Sequence, residues 1–150
     1  MAVVVEPQQA GCVERVEGNA PSAALLAGVT ALNVNLGATV DLNGNTLSVG
    51  SLNAAANNSG GLITNSSATA ANLTVSSSAF NSVWAGQIQD GAGAVSLSKM
   101  GSGQLTLASN RVDSPFANDN SFTGGTNLFG GKLTLQNGAI DELIIDHQRT

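Results

Sequence analysis

Two glycine-led segments predict the fold of this chain: Lys99-Met100-Gly101-Ser102-Gly103-Gln104-Leu105-Thr106-Leu107 and Ser121-Phe122-Thr123-Gly124-Gly125-Thr126-Asn127-Leu128-Phe129-Gly130-Gly131-Lys132-Leu133-Thr134-Leu135. Each ends in Leu-Thr-Leu, and side chains alternate across a strand, so both leucines of each triplet share one face. Glycine permits the positive φ angles and the close backbone approach that sharp turns require. The segments predict two short strands, Gln104–Ala108 and Lys132–Gln136, joined by tight turns at Gly101, Gly103, Gly124, Gly125, Gly130 and Gly131.

The order of these features resembles the autotransporter-associated β-strand repeat, also called the passenger-associated transport repeat. That pattern runs roughly Lys-x-Gly-x-Gly-x-Leu-x-Leu, an Asn-rich turn, an aromatic-Thr-Gly-Gly-Thr turn and Gly-x-Leu-x-Leu, and residues 99–135 contain every part. Residues 111–119 depart from it. We interpret them as a loop inserted at a corner, where added length costs little, so that the fold should survive deletion of 112–119. The sharp corner itself predicts a positive φ angle for at least one of Gly124 and Gly125.

The resemblance implies a right-handed parallel β-helix segment of a secreted bacterial surface protein, at the extracellular or outer-membrane surface. It implies a non-catalytic part of an autotransporter-like passenger that serves as a stalk or adhesin scaffold and assists passenger export. Its partners would be a host surface or a glycan ligand, together with adjacent β-helix rungs or like chains. The N-terminal residues show no signal peptide, and we expect any export signal to lie outside them.

The amino-acid composition also favours stacked β-structure. Of the 150 residues, 10% are charged and 42% are hydrophobic, whereas disordered chains are usually poor in hydrophobic residues and highly charged. A helical protein would carry more Glu, Lys, Arg and Leu than this mixture of small and polar residues. An antiparallel β-sandwich is the main alternative fold, because Asn-Gly dipeptides such as Asn43-Gly44 permit hairpins.

Alternating hydrophobic residues extend the predicted rungs over residues 30–140. Leu42-Asn43-Gly44-Asn45-Thr46-Leu47-Ser48-Val49 matches Leu128-Phe129-Gly130-Gly131-Lys132-Leu133-Thr134-Leu135 in the positions of Leu, Gly and an apolar pair, which predicts an internal repeat. Residues 1–29 lack this rhythm and are either an N-terminal cap or a linker, and residues 141–150 are a C-terminal tail or a final strand. Asparagines either occupy turns, the preferred interpretation, or form ladders between rungs; the candidates are Asn43, Asn45, Asn53, Asn65 and Asn127.

Charge and motif content exclude several classes of function. The formal net charge is −5 and the five basic residues are scattered, so we predict no nucleic-acid partner. No apolar run approaches the roughly 20 residues of a membrane span. Cys12 and His147 are the only residues of their types, which argues against an internal disulfide, a His-based metal site or a Ser-His-Asp triad. No cofactor is predicted.

Arg111, Asp113 and Asp119 are the one candidate polar constellation, within the inserted segment. Clustered carboxylates on a β-helix suit a polysaccharide-acting enzyme, so a fragment of such an enzyme is one alternative function. A structural filament or surface-layer component is another. A solvated loop is the preferred interpretation of the trio, and we predict that the chain is not an enzyme.

Overall fold

In a computed structural model of the chain, the described residues are 3–4, 31–35, 37–53, 60–78, 81–108, 120–136 and 145–146. Within these ranges every regular element is a β-strand and no helix occurs. In chain order they are β1 (Val3–Val4), β2 (Leu32–Asn33), β3 (Thr39–Asp41), β4 (Thr46–Val49), β5 (Leu52–Asn53), β6 (Leu62–Thr64), β7 (Ala71–Val75), β8 (Ser82–Trp84), β9 (Gln87–Ile88), β10 (Val95–Lys99), β11 (Gln104–Ala108), β12 (Thr126–Leu128), β13 (Lys132–Gln136) and β14 (Ile145–Asp146).

The strands stack as a parallel β-solenoid of roughly three complete turns. Column 1 contains β3, β6 and β9, and column 2 contains β4, β7, β10, β12 and β14. Column 3 contains the pair β2–β5 and the triplet β8–β11–β13, with β5 packed beside β8. From β2 onward, successive strands along the chain therefore belong to different columns, and each pairs with a strand one turn away.

Equivalent residues on neighbouring turns lie directly over one another. Leu47, Leu73, Leu97 and Thr126 form one such row in column 2. On turns without the inserted segment, the hydrogen bonds of Asp41 with Ser66 and of Asn72 with Ser96 join residues 25 and 24 positions apart. Where the turn includes 111–119, the hydrogen bonds of Ile88 with Asn120 and of Asp90 with Thr123 join residues 32 and 33 apart. The longer turn still returns the chain to the same column.

The parallel β-helix is confirmed and the β-sandwich alternative is wrong. Among the described strands, every pair is parallel except β1 with β3, whereas a sandwich is built from antiparallel sheets. The two strands predicted from the Leu-Thr-Leu triplets have the predicted bounds, and they pair in register from Gln104 with Lys132 to Ala108 with Gln136.

The predicted match between residues 42–49 and 128–135 does not correspond to stacked positions. Residues 42–49 lead from column 1 into column 2, whereas residues 128–135 lead from column 2 into column 3. The two segments have similar sequences because each contains a tight glycine corner, followed by a strand in which apolar and polar residues alternate. The true counterparts of β4 are β7 and β10, which pair with one another in register.

A single core of apolar side chains runs through the solenoid. Trp84 is the largest fully buried side chain, and a Cβ atom on Gly86 would come within 2.4 Å of its ring. Glycine at position 86 therefore makes room for the indole. Other members of the core, all nearly inaccessible, include Leu32, Val40, Leu47, Leu52, Ile63, Leu73, Ile88, Leu97, Leu105 and Leu107.

Polar side chains join neighbouring turns on the side of column 2 that points away from the apolar core. The Asn72 amide donates hydrogen bonds to the hydroxyl oxygens of Ser96 and Ser98, at 2.8 and 3.0 Å. The Thr74 hydroxyl in turn donates to the Asn72 amide oxygen at 2.9 Å. This network stabilises the pairing of β7 with β10 from outside the core.

The two terminal assignments fall mostly outside the described residues. Within 1–29, Val3–Val4 pairs antiparallel with β3 along the edge that faces away from β6. Within 141–150, Ile145–Asp146 pairs parallel with β12. The choice between cap and linker, and between tail and final strand, stays a prediction.

Truncation of one core leucine tests the stacking. Leu97 is fully buried between Leu73 and Thr126, so Leu97→Ala should lower the free energy of unfolding by about 2–5 kcal/mol through lost burial and a cavity. Chemical denaturation followed by circular dichroism measures the change. Val83→Ala is the control, because Val83 is 49% exposed and its truncation should change stability by less than about 0.5 kcal/mol. Equal effects would contradict this packing.

Candidate functional site

The glycine corners that lead from column 2 into column 3 stack on one another. One connects β10 to β11 and contains Gly101 and Gly103; the next connects β12 to β13 and contains Gly130 and Gly131. The Phe129 amide donates to the Lys99 carbonyl at 2.8 Å, and the Lys132 amide donates to the Gly103 carbonyl at 3.2 Å. The start and the end of the two corners are thereby fixed to each other.

Lys99 points into the solenoid rather than into solvent. It ends β10 in register with Val75 on the preceding turn and with Leu128 on the following one, and its side chain is fully buried. Its ammonium group donates hydrogen bonds to the carbonyl oxygens of Met100, Gly101 and Gly130, the last two at 3.2 and 3.5 Å. We call this ammonium and its three carbonyls the Lys99 site.

The Lys99 ammonium is desolvated. Because burial disfavours the charged form, it lowers the pKa of Lys99 below its ordinary value. Within the described residues, all acceptors of the ammonium are main-chain carbonyls, which offset part of the desolvation cost. The Gly130 carbonyl comes from the following turn, so the site is complete only when both corners have formed. The amine is fully buried, and its hydrogen bonds join the two corners.

The interior position of Lys99 was not predicted, although Lys99 is one of the five scattered basic residues. The signal was available in the alternation of β10, since Val95, Leu97 and Lys99 occupy every second position and therefore share one face. A lysine that continues an apolar row is an exception, because lysine is almost never fully buried unless it is paired.

Gly131 is required for two separate reasons. Its φ angle is +72°, a region that side chains rarely adopt. A Cβ atom there would also lie 2.2 Å from the Gly103 carbonyl oxygen and 3.0 Å from the Lys99 nitrogen. Any larger residue would push the two corners apart and disturb the Lys99 site.

Gly125 is required for its positive φ angle, and Gly124 is required because there is no space for a Cβ atom. Gly125 has a φ angle of +85°, and a Cβ atom there would meet nothing within 4 Å. At Gly124 a Cβ atom would lie 2.4 Å from the Val95 carbonyl oxygen of the preceding turn. The predicted positive φ is therefore confirmed at Gly125, while Gly124 permits close approach of two turns.

Two aspartates connect corners on neighbouring turns next to column 1. Asp90 accepts hydrogen bonds from the Val95 amide at 2.7 Å and from the Thr123 hydroxyl at 2.6 Å. Asp41 accepts bonds from both the amide and the hydroxyl of Ser66 on the next turn. Partial burial by itself would raise the pKa of Asp41, but hydrogen bonds from Ser66 and Asn43 outweigh it and lower the pKa. Both carboxylates act as clamps between turns.

Buried asparagines perform the same task inside the structure. The Asn65 side chain accepts from the Gly44 amide at 2.8 Å and donates to the Ala94 carbonyl at 3.3 Å, which links the turns before and after it. The buried Asn120 accepts from the Ile88 amide at 2.7 Å. These two residues supply polar connections at positions that apolar periodicity does not reveal.

The preferred turn interpretation holds for only part of the predicted asparagine set. Asn43 lies in a turn with a φ angle of +45°, and the Asn45 amide donates to two carbonyls across the same turn. It is wrong for Asn53 and Asn127, which lie in β5 and β12, and for Asn65, which bridges turns. The strands are too short for the alternation of apolar and polar residues to distinguish asparagines in turns from asparagines in strands or between turns.

The polar trio of the inserted segment, Arg111, Asp113 and Asp119, lies outside the described residues. Among the residues that are described, no group of three or more His, Cys, Asp or Glu side chains is placed to hold a metal ion. The same residues contain no helix long and apolar enough to cross a membrane.

Comparison of the chain with models of protein families, with curated proteins and with solved structures finds no match.

Substitution of the Thr-Gly-Gly-Thr glycines separates backbone strain from steric overlap. Gly125→Val should lower the free energy of unfolding by about 1–3 kcal/mol through strain at positive φ. Gly125→Asn should recover part of this loss, because asparagine tolerates positive φ better than valine. Gly124→Ala should already destabilise the protein, since its Cβ meets a carbonyl oxygen at 2.4 Å. Thermal melting provides the readout, and full stability of both Gly125→Val and Gly124→Ala would contradict this corner geometry.

The Lys99 site predicts an increase in stability at alkaline pH. The unfolded chain should titrate near the ordinary lysine value of 10.5, above the folded pKa, so it binds more protons between the two values. The free energy of unfolding should therefore rise with pH across that interval. Urea unfolding between about pH 8 and pH 10.5 measures it.

Lys99→Met should abolish the alkaline increase, whereas Lys132→Met should retain it because Lys132 is exposed. The chain has no tyrosine, so phenol ionisation does not interfere. An identical pH profile in the wild type and Lys99→Met would show that Lys99 is solvated in the folded protein.

Proposed function

We propose that this chain is a non-catalytic segment of an autotransporter-like surface protein, in which it forms a β-helical stalk or adhesin scaffold and assists passenger export. The observation that supports this most is the parallel register at both ends of the repeat-like segment. β12 pairs in parallel with β10, and β13 pairs in parallel with β11, each with the strand one turn earlier. The strands of the repeat-like segment thus pair one turn of the solenoid with the next.

Turn-by-turn stacking suits export because a folded turn presents a template for the next. Each new strand obtains its main-chain hydrogen bonds from the turn before it. A chain that emerges through a narrow passage could fold outside in the order of emergence, and the folded turns would oppose its return. The Lys99 site adds to this coupling, since its Gly130 carbonyl arrives with the following corner.

The proposed location is the extracellular or outer-membrane surface, with a host surface or a glycan as the partner. Exposed polar side chains such as Thr46 and Ser48 on the outer face of β4 are compatible with a scaffold that faces water. The clamps formed by Asp41 and Asp90 use their carboxylates for hydrogen bonds between turns. They are therefore assigned structural roles.

Surface display tests the proposal. Residues 1–150 are fused as a passenger to an outer-membrane translocator, and accessibility of an N-terminal tag to antibody on intact cells is measured. The wild-type segment should reach the surface. Gly131→Val should reduce display several-fold because it disturbs the stacked corners at Gly103 and Lys99. Phe129→Ser is the matched control from the same corner, since Phe129 is 60% exposed, and it should be displayed as the wild type is.

Two results would contradict the proposal. One is equal display of the wild type and Gly131→Val despite lower thermal stability of the variant. The other is the release of oligosaccharides from a glycan panel that is lost in both Asp113→Ala and Asp119→Ala, which would identify a polysaccharide-acting enzyme instead.

A further inference from the structure

The two ends of the solenoid differ in how well their interior residues are covered. At the first turn, Leu32 and Val40 are fully buried and Leu47 and Val49 nearly so. At the last turn of column 3, Leu133 is only partly buried and Leu135 is 38% exposed. Leu133 and Leu135 lie in register with the fully buried Leu105 and Leu107. Of these described residues, those of the first turn are therefore covered, whereas the leucines of β13 are only partly covered.

β13 is also an edge. It is the outermost strand of its sheet, and among the described strands only β11 pairs with it. An edge strand presents a row of main-chain donors and acceptors to which another strand can pair. Here the row lies beside an exposed interior leucine, so one added strand would satisfy the main chain and cover apolar surface together.

The sequence of β13, Lys-Leu-Thr-Leu-Gln, is complementary to itself in the antiparallel direction. About a two-fold axis at Thr134, Lys132 would lie opposite Gln136 of the partner subunit and Leu133 opposite Leu135 of the partner subunit. No like charges would face each other, and the leucines of both copies would lie on the same side of the new ladder. Matched apolar faces fix the register of a strand pair, and facing side chains contribute to its stability.

We propose that two copies of this chain associate through β13, in an antiparallel pair about a two-fold axis at Thr134. The association covers Leu135 and pairs the outer edge of β13 in each copy. It forms a closed dimer because a two-fold pair uses the same edge of both copies, whereas head-to-tail stacking in column 1 would need a free edge on β3, and β1 already pairs with that edge. This inference does not depend on the function proposed above.

Sedimentation and cysteine cross-linking of the 150-residue chain test the dimer. At about 100 µM the sedimenting mass should approach twice 14.9 kDa. In a Cys12→Ser background, Thr134→Cys should form a disulfide-linked dimer under mild oxidation, since facing Cβ atoms in an antiparallel pair lie about 4.5–5.5 Å apart. Thr106→Cys is the matched control, because Thr106 occupies the equivalent position in β11, between β8 and β13.

Two further variants make the outcome decisive. Leu135→Lys should weaken dimerisation at least about tenfold, because it places a charge at the centre of the apolar contact. Val83→Lys should not, since Val83 is an exposed residue of β8 that lies away from the open edge. A monomer at all concentrations, equal cross-linking through Thr106→Cys, or a dimer that survives Leu135→Lys would each overturn the proposal.

A mixture of Lys132→Cys and Gln136→Cys chains tests the strand direction. Antiparallel pairing about Thr134 predicts cross-links between the two different variants in preference to cross-links within either one. Preferential linkage of Lys132→Cys to itself would indicate a parallel pair and would also overturn the proposal.

Discussion

Main-chain hydrogen bonds between successive turns are the constraint on which the rest of this structure depends. Parallel strands one turn apart lie about 4.8 Å from each other, so every corner must repeat within that narrow spacing. Where a corner passes over a carbonyl of the turn beneath, there is no room for a Cβ atom, as at Gly124 and Gly131. Glycine is thus required at these corners both by the short distance between stacked turns and by the conformation of the turn itself.

The same spacing explains how a lysine can occupy the interior. A buried charge is costly unless polar groups surround it, and glycine corners leave their carbonyl oxygens unobstructed. Lys99 uses carbonyls from its own corner and from the next one. A valine at this place, as at position 75 one turn earlier, would pack well but would leave the corners without this polar link. The charge therefore connects two corners that hydrophobic packing alone would not.

Polar connections between turns follow a common principle across the molecule. Asp41, Asn65 and Asp90 each accept main-chain amides near the end of a column 1 strand and reach a neighbouring turn. Their side chains replace hydrogen bonds that the irregular corners cannot supply to themselves. Short strands of two or three residues in column 1 are held in place by these clamps as well as by their own pairing.

The sequence by itself determined the class of fold and the location of its sharpest corners. Leucines two positions apart defined β11 and β13, and glycines marked the corners between them, because alternation and positive φ are local properties. Only the tertiary structure decided which turns stack on which, that the Lys99 ammonium binds a carbonyl of the following corner, and that Asn65 bridges three turns. Those outcomes depend on contacts between residues that are far apart in the sequence, such as Asn65 with Gly44 and with Ala94, and alternation within a short strand does not specify such contacts. The sequence match between residues 42–49 and 128–135 did not identify stacked positions for this reason. Both segments contain a glycine corner followed by a strand, but the two strands belong to different columns.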